Sequence, residues 1–260
     1  MENPAVSLQR LANHVALVTL TRPEARNVVS PEVASGLEQA IDETEADPDV
    51  WVVILASTGD AAFCAGADLK AVKAGRANEL YTERGGFAGF VHRARTKPWI
   101  AAVNGPALAG GCEIVLACDL IVSVPQARFG LPEPKRGLVA AAGGLYRLPR
   151  LLPQAIAREL ILTGDAIDAT RAHALGMVNA LAPDLDGLLD TAQFLAARIA
   201  CNAPIAVRES LAVAKRAFEL SDEELRAASE AGRARNMTSE DYQEGPRAFI
   251  EKRDPVWKNR

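Results

Sequence analysis

The stretch IAAVNGPALAGGCEIVLACDL, residues 100–120, decides how we interpret the fold. It begins with an apolar run typical of a buried strand, continues through a glycine-containing turn and ends in a helix-forming segment. At such a junction the first backbone N–H groups of the helix are unpaired and the helix dipole is positive. The stretch therefore predicts a strand–turn–helix unit with an anion-stabilising site at the turn.

Glu113 lies in this stretch among small and apolar residues. Between positions 99 and 127 only Glu113 and Asp119 carry charge, and burying an unpaired carboxylate is costly. A phosphate-binding loop would end in Gly-Lys-Ser/Thr, whereas this one ends in Gly111, Cys112 and Glu113. A fixed negative charge at this place suits a neutral group that becomes negative only during reaction, such as a carbonyl becoming an enolate.

The composition is that of a globular protein. The chain has 260 residues, of which 49% are apolar and 24% are charged, so a disordered or fibrous chain is excluded. Its length suits one α/β domain with an appendage. The formal net charge is −4 and Lys and Arg are scattered, so the chain has no general basic face for nucleic acid.

The cysteines and the N-terminus indicate the compartment. Cys64, Cys112, Cys118 and Cys201 lie among small apolar residues without CxxC spacing, which predicts reduced, buried thiols rather than zinc or a disulfide framework. The N-terminus lacks signal-peptide features, and no run of about 18 residues is apolar throughout. We therefore expect a cytoplasmic protein with no membrane partner.

The order of elements predicts the fold class. Apolar runs occur at residues 15–20, 50–56, 99–103 and 120–124. Helix-like segments separate these runs, which predicts an α/β fold with crossover connections. Their nearly continuous apolar character predicts strands covered on both faces.

Helix signals are clear in two regions. Ser30 before Pro31 predicts a capped helix that ends near Pro48. From about residue 183 onward the sequence has amphipathic helical periodicity without strand patterns. We therefore divide the chain into a core, residues 1–197, and a C-terminal helical region, residues 198–260.

A second glycine loop, FCAGADLK at residues 63–70, follows the strand predicted at residues 50–56. One N–H group makes a poor oxyanion hole, and Gly66 allows the backbone of this loop to approach another segment closely. The loop therefore predicts the second donor.

A second carboxylate is flanked by prolines. Glu133 lies between Pro132 and Pro134, so we expect a rigid, non-helical backbone that aims the carboxylate accurately. If Glu113 and Glu133 face one apolar cleft, each perturbs the ionisation of the other. Such a pair supplies a general base and a general acid.

The two glycine stretches, at residues 63–70 and 100–120, resemble the signature segments of the crotonase (enoyl-CoA hydratase/isomerase) superfamily. The resemblance extends over nearly the whole chain and follows the family order. Its further segments are TRPEARNVVS at 21–30, RFGLPEPKRGL with GGLYRLPRLLP within 128–153, LTGDAIDATRAHALGMVNALAP at 162–183 and FIEKRDPVW at 249–257.

The resemblance implies a spiral ββα core with a C-terminal helical region used in trimerisation, giving a homotrimer or a dimer of trimers. It implies an acyl thioester of coenzyme A as the substrate. By position, Ala67 and Gly110 match the N–H donors to the thioester oxygen, and Glu113 and Glu133 match the two catalytic glutamates. The positions that match CoA-lining segments are Ala25, Arg26, Asp68 and Leu69, together with Phe249 and Lys252, which can touch CoA from a neighbouring subunit.

The chain departs from the family pattern at two alanines. Ala109 replaces the first of three glycines that are usual in the family. Ala141 stands where hydratases often carry a glycine whose N–H helps to hold the reacting water. Ala141 retains this N–H but lacks the φ freedom of glycine.

The resemblance implies an enoyl-CoA hydratase that adds water reversibly, with syn stereochemistry, to a 2-enoyl-CoA, with fatty acid metabolism and β-oxidation as the setting. Glu113 would be the base and Glu133 the acid. No metal or redox cofactor is implied, because coenzyme A is part of the substrate. The alternatives are an enoyl-CoA isomerase, a dehydratase of a specialised acyl-CoA such as a carnitine or steroid side-chain thioester, and a non-catalytic acyl-CoA binder.

The acyl pocket is the least determined part of this prediction. We expect residues 74–99 to form helices over it, with Phe87, Phe90 and Trp99 either lining its wall or belonging to the core. A nucleophilic hydrolase is disfavoured because the chain has no GxSxG motif.

Overall fold

We analysed a computed structural model, which describes residues 4–260. In chain order its strands are β1 (Val6–Arg10), β2 (Val15–Leu20), β3 (Val52–Ser57), β4 (Tyr81–Thr82), β5 (Gly86–Phe87), β6 (Trp99–Val103), β7 (Ala107–Leu108), β8 (Leu120–Ser123), β9 (Arg128–Gly130), β10 (Ala166–Asp168) and β11 (Ala180–Leu181). The helices are α1 (Pro31–Ala46), α2 (Leu69–Lys73), α3 (Gly110–Leu116), α4 (Gly144–Leu151), α5 (Gln154–Thr163), α6 (Ala169–Ala174), α7 (Leu188–Ala200), α8 (Pro204–Ala214), α9 (Asp222–Met237) and α10 (Glu240–Glu251). Short 3-10 helices span Pro23–Ala25, Ala77–Leu80 and Glu133–Arg136.

The core is a six-stranded sheet in the order β1-β2-β3-β6-β8-β11. Only β1 runs antiparallel to its neighbour, and the remaining pairs are parallel. All five residues of β6 are buried, and α7 packs across β2, β3, β6 and β8. This confirms the predicted α/β class, because buried parallel strands appear in sequence as continuous apolar runs.

Helix α1 begins and ends as its sequence predicts. The Ser30 hydroxyl accepts a hydrogen bond from the Val33 N–H at 3.3 Å, and Pro31 occupies the first turn. At the other end, the buried Lys97 ammonium donates to the carbonyl oxygens of Thr44 and Asp47. A cation at this end of a helix is favourable, since the dipole is negative there.

The prediction of helices over residues 74–99 is wrong. The structure has only the 3-10 turn Ala77–Leu80 there, followed by the two-stranded ribbon of β4 and β5. Gly86 and Gly89 both have a φ of +64°, which interrupts any helix. An added methyl group on Gly89 would lie 2.2 Å from the Ala34 carbonyl oxygen of α1, so close packing requires glycine.

Two of the three aromatic residues predicted for this region belong to the core rather than to a pocket wall. Phe90 and Trp99 are fully buried and pack edge to face, with ring centroids 5.1 Å apart. The Arg95 guanidinium lies 4.1 Å from the centroid of the Phe90 ring. Phe87 is also buried, but it lies against Gly110 and so borders the candidate site.

Two further sequence predictions need correction. Glu133 does not have a non-helical backbone, because it begins the 3-10 turn Glu133–Arg136, in which Pro134 takes an early position that tolerates its missing N–H. All four cysteines are free, and Cys64 and Cys112 are buried, but Cys201 is exposed at the end of α7.

Helix α9 packs against both α8 and α10. An ion pair of 2.9 Å between Lys215 and Asp119, and one of 3.1 Å between Arg150 and Glu219, join this region to the core. The predicted boundary at residue 197 falls inside α7, which covers the sheet. The division into two regions and the trimerisation role stay predictions.

No helix within residues 4–260 combines the length and apolar character needed to cross a membrane.

Candidate active site

The two glycine loops lie side by side. The Leu108 N–H donates to the Cys64 carbonyl oxygen at 3.1 Å, and Cys64 forms a parallel bridge with Ala107. A methyl group added to Gly66 would lie 3.3 Å from the backbone nitrogen of Gly110. The sequence predicted the two loops separately, and the tertiary structure places their backbones in contact.

The geometry leaves the amides of Ala67 and Gly110 available to a ligand. Val29 donates to the Gly66 carbonyl oxygen at 2.8 Å and accepts from the Asp68 N–H at 2.9 Å. Because successive residues of an extended chain point to opposite sides, the intervening Ala67 N–H points away from Val29. Gly110 is the first residue of α3, so its N–H has no intrahelical acceptor.

Gly110 and Gly111 are required by close packing. A methyl group on Gly110 would lie 2.4 Å from Cε1 of Phe87, and one on Gly111 would lie 2.1 Å from the Cys64 carbonyl oxygen. The second contact is with backbone and cannot be relieved by a rotamer change. The approach of the two loops therefore depends on glycine at position 111.

Ala109 adopts a strained conformation immediately before α3. Its φ of +52° and ψ of −130° lie in a region that residues with a Cβ rarely occupy. Its N–H donates to the Gly130 carbonyl oxygen at 2.9 Å, which anchors the turn to β9. Strain of this kind costs about 1–3 kcal/mol and persists only where surrounding structure imposes it.

Replacing Ala109 with glycine is expected to stabilise the protein by about 1 kcal/mol, because the strain removed exceeds the entropy lost by ordering glycine. Urea denaturation measures this difference. Ala107→Gly, at a nearby position with ordinary φ, is the matched control and should destabilise the protein. If both variants are destabilised alike, the strain at Ala109 is not significant.

Glu113 is buried in the first turn of α3, with 3% of its surface exposed. Its Oε1 accepts a hydrogen bond of 2.9 Å from the N–H of Gly144, the first residue of α4. Burial raises the pKa of Glu113, and the charge of Glu133 raises it further, while the amides of Gly144 and Ala142 act in the opposite direction. The carboxylate is thus held in place and made more basic than an ordinary glutamate.

Glu133 is the second buried carboxyl group, with 8% of its surface exposed. Burial raises its pKa as well. Its Oε2 is buried without a hydrogen-bond partner among residues 4–260. A buried polar atom of this kind is expected where a reacting group is to bind. The charge of Glu133 also contributes to the raised pKa of Glu113, so the two carboxyl groups lie near each other. Their shared role as base and acid stays a prediction.

Ala141 lies next to this site, but its backbone N–H forms no hydrogen bond with Glu113 or Glu133. Its side chain is exposed, and the backbone amides that act on Glu113 are those of Ala142 and Gly144. The role of Ala141 in holding water stays a prediction.

The residues predicted to line CoA fall into two groups. The backbone carbonyl oxygen of Arg26, the residue after Ala25, accepts a hydrogen bond from the Ala65 N–H at 3.1 Å. The Asp68 carboxylate caps α2, which begins at the exposed Leu69. These four positions therefore lie beside the loop that carries Ala67. Phe249, which is 86% exposed, and the exposed Lys252 lie at the end of α10 in the helical region. Contact of any of these residues with CoA stays a prediction.

Sequence reasoning missed three residues near Glu113. Tyr81 packs edge to face on Phe87, with centroids 5.4 Å apart, and its pKa is raised by burial and then by the charge of Glu113. Gly144 and Arg147 act on Glu113 from α4. The glycine pair at positions 143–144 could have signalled a helix N-terminus, whereas no local pattern marks Tyr81 or Arg147.

No three His, Cys, Asp or Glu side chains within residues 4–260 are grouped as metal ligands would be. The expectation of a reaction without metal or redox cofactor stays a prediction.

Known proteins match this chain over nearly its full length. The profile of the enoyl-CoA hydratase/isomerase family matches residues 10–260. A carnitinyl-CoA dehydratase from Salmonella enteritidis is 40% identical over 248 residues, covering 94% of each chain. The crystal structure of an enoyl-CoA hydratase from Mycobacterium tuberculosis has a TM-score of 0.94 and 43% identity, covering 99% of this chain and 100% of that chain. A carnitinyl-CoA hydratase structure from Mycobacterium avium has a TM-score of 0.76 and 43% identity, with both chains covered completely.

These similarities identify the α/β architecture as the crotonase fold, with the lyase-type chemistry that the names of its relatives share. The chain belongs to the enoyl-CoA hydratase/isomerase family.

Proposed function

We propose that this protein catalyses the reversible addition of water to a 2-enoyl-CoA thioester, giving a 3-hydroxyacyl-CoA. The observation that carries the proposal is the pair of buried glutamates, Glu113 and Glu133, beside two adjacent backbone amides. An isomerase needs only one well-placed carboxylate to move a proton. Two carboxyl groups provide both the base and the acid that hydration requires.

In the proposed hydration, ionised Glu113 removes a proton from water as the water oxygen bonds to C3 of the enoyl group. The electrons of the double bond move to the thioester oxygen, and the N–H groups of Ala67 and Gly110 stabilise this enolate. Protonated Glu133 then donates its proton to C2. Water has been added, Glu113 holds one proton and Glu133 has lost one, and exchange with solvent restores both.

The names of the relatives favour one particular substrate as a second candidate. Proteins 40% and 43% identical to this chain are a carnitinyl-CoA dehydratase and a carnitinyl-CoA hydratase. Dehydration of a 3-hydroxyacyl-CoA is the reverse of the proposed reaction and uses the same two glutamates in exchanged order. Carnitinyl-CoA is therefore a substrate to test beside simple enoyl thioesters.

The decisive assay uses the purified full chain with crotonyl-CoA, longer 2-enoyl-CoA esters, a 3-enoyl-CoA and carnitinyl-CoA. Loss or gain of the conjugated-enone absorbance reports hydration or dehydration. We expect water addition to at least one 2-enoyl ester or dehydration of carnitinyl-CoA. Turnover of the 3-enoyl ester alone would identify an isomerase. Binding of CoA esters by calorimetry without turnover would identify a non-catalytic binder.

Replacing Glu133 with glutamine is expected to lower kcat for hydration by about 10²–10⁴-fold, the usual contribution of a general acid. Glu133 must be protonated to act, so wild-type kcat/KM should fall as pH rises through its raised pKa. The residual activity of the variant should lack this alkaline limb. Glu159→Gln, an exposed glutamate on α5, is the control and should match the wild type. An alkaline limb that persists in E133Q would assign the acid to another group.

A further inference from the structure

Arg147 lies one turn into α4, three residues after Gly144, and its half-buried guanidinium turns back toward the start of the helix. Nη1 donates to the Ala142 carbonyl oxygen at 3.2 Å, and Nη2 donates to the Val91 carbonyl oxygen at 2.5 Å. A methyl group on Gly143 would lie 2.0 Å from Nη1, so the guanidinium rests directly on the backbone there. The side chain therefore joins the α4 loop to a second segment.

Both segments that Arg147 joins belong to the walls of the candidate site. Ala142 and Gly144 provide the amides that act on the Glu113 carboxylate. The Val91 N–H bonds to the carbonyl oxygen of Phe87, and the ring of Phe87 lies against Gly110. The Arg147 side chain thus connects the loop whose amides contact Glu113 with the segment that packs, through Phe87, against the first turn of α3. The planar fork of arginine suits this task because it can donate in two directions at once.

The charge of Arg147 also acts on Glu113. Burial raises the pKa of Glu113, and Arg147 is the cation that counteracts this rise. The other ionisable groups that interact with Glu113 are Glu133, Tyr81 and Cys112. Those that interact with Arg147 are Tyr146, Arg150, Cys118, His92 and Arg95. No ion pair within 4.0 Å joins Arg147 to Glu113, so the influence is exerted across the loop.

We propose that Arg147 is a positioning residue that holds the 142–144 loop against Glu113. The inference rests on the proposed function, in which Glu113 is the base. Arg147 touches neither water nor thioester in this role. It keeps the amides at the correct place and supplies a positive charge behind them.

Arg147→Met removes both the hydrogen bonds and the charge. We expect kcat to fall on the order of 10–100-fold, because small misplacements of a reacting group have effects of this size. The acid limb of kcat/KM should also move to higher pH, since Glu113 loses a cation that favours ionisation. Arg150→Met is the matched control: Arg150 lies one turn further along α4 and pairs with Glu219, so its kcat and acid limb should stay those of the wild type.

A readout independent of activity separates this inference from the proposed function. Infrared titration of the carboxyl C=O stretch follows protonation of Glu113 directly, with the corresponding Glu113→Gln protein as the blank in each background. The Glu113 transition should lie at higher pH in R147M than in the wild type. If the wild type turns over no thioester, the proposed function fails, while this titration still decides the influence of Arg147.

A Glu113 titration that is the same in R147M and the wild type overturns the inference, as does an equal shift in R150M. If R147M does not fold, Arg147→Lys provides the test. Lysine keeps the charge but not the planar fork, so kcat should fall while the acid limb stays near that of the wild type. Unchanged kcat in R147K would overturn the positioning role.

Discussion

Replacing Glu113 with glutamine is expected to lower kcat for hydration by about 10²–10⁴-fold, because a general base contributes a factor of this size. Glutamine keeps an oxygen that can accept the Gly144 N–H, which Glu113 accepts at 2.9 Å, so the local structure should survive. The variant therefore tests proton transfer rather than folding. Loss of enone absorbance with crotonyl-CoA or carnitinyl-CoA measures the effect.

Stability provides an internal control for this variant. Burial raises the pKa of Glu113 above 4.5, so its ionised form lowers the free energy of unfolding at neutral pH. This loss of stability disappears at a pH where the group is protonated in both the folded and the unfolded protein. E113Q should thus unfold at a slightly higher temperature than the wild type near neutral pH, but not below pH 4.5. An inactive protein with increased stability would separate function from folding. Retained activity in E113Q would remove Glu113 from the mechanism.

Replacing Gly111 with alanine should lower both the rate of hydration and the stability of the fold. The new methyl group would lie 2.1 Å from the Cys64 carbonyl oxygen, so the backbones of the two glycine loops must separate. Separation moves the Ala67 N–H away from Gly110, and losing one oxyanion donor typically lowers kcat by about 10²–10³-fold. Overpacking of this kind also costs about 1–3 kcal/mol of unfolding free energy.

Gly232→Ala in α9 is the matched control for this substitution. The new methyl group there would meet the flexible end of the Glu209 side chain at 3.1 Å, and alanine has the higher helix propensity. Its kcat should equal that of the wild type. Binding of a CoA ester by calorimetry completes the comparison, since G111A is expected to lose rate more than affinity. Wild-type kcat in G111A would show that the Gly110 amide does not hold the enolate.

The success of the sequence-based fold prediction depended on how local the signals are. The strands at residues 15–20 and 99–103 were located correctly, because each is a continuous apolar run buried in a parallel sheet. Ser30 and Pro31 marked the start of α1 for an equally local reason. Residues 74–99 were misassigned because their path is set by contacts such as Gly89 on α1, which lies far away in sequence.

The features of the candidate site also divide into those set by local sequence and those set by tertiary contacts. Gly110 and Glu113 are three residues apart in one short helix, so the sequence alone determines that the proposed donor and the proposed base lie one turn from each other. Only the tertiary structure decides that the loop with Ala67 lies beside Gly110 and that the Gly144 N–H donates to Glu113. The same is true of Arg147, which donates to the carbonyl oxygens of Ala142 and Val91. These contacts join segments 31 to 56 positions apart or depend on the conformation of one side chain. Periodicity and residue type carry no information on such approaches, because close packing of the whole chain sets them.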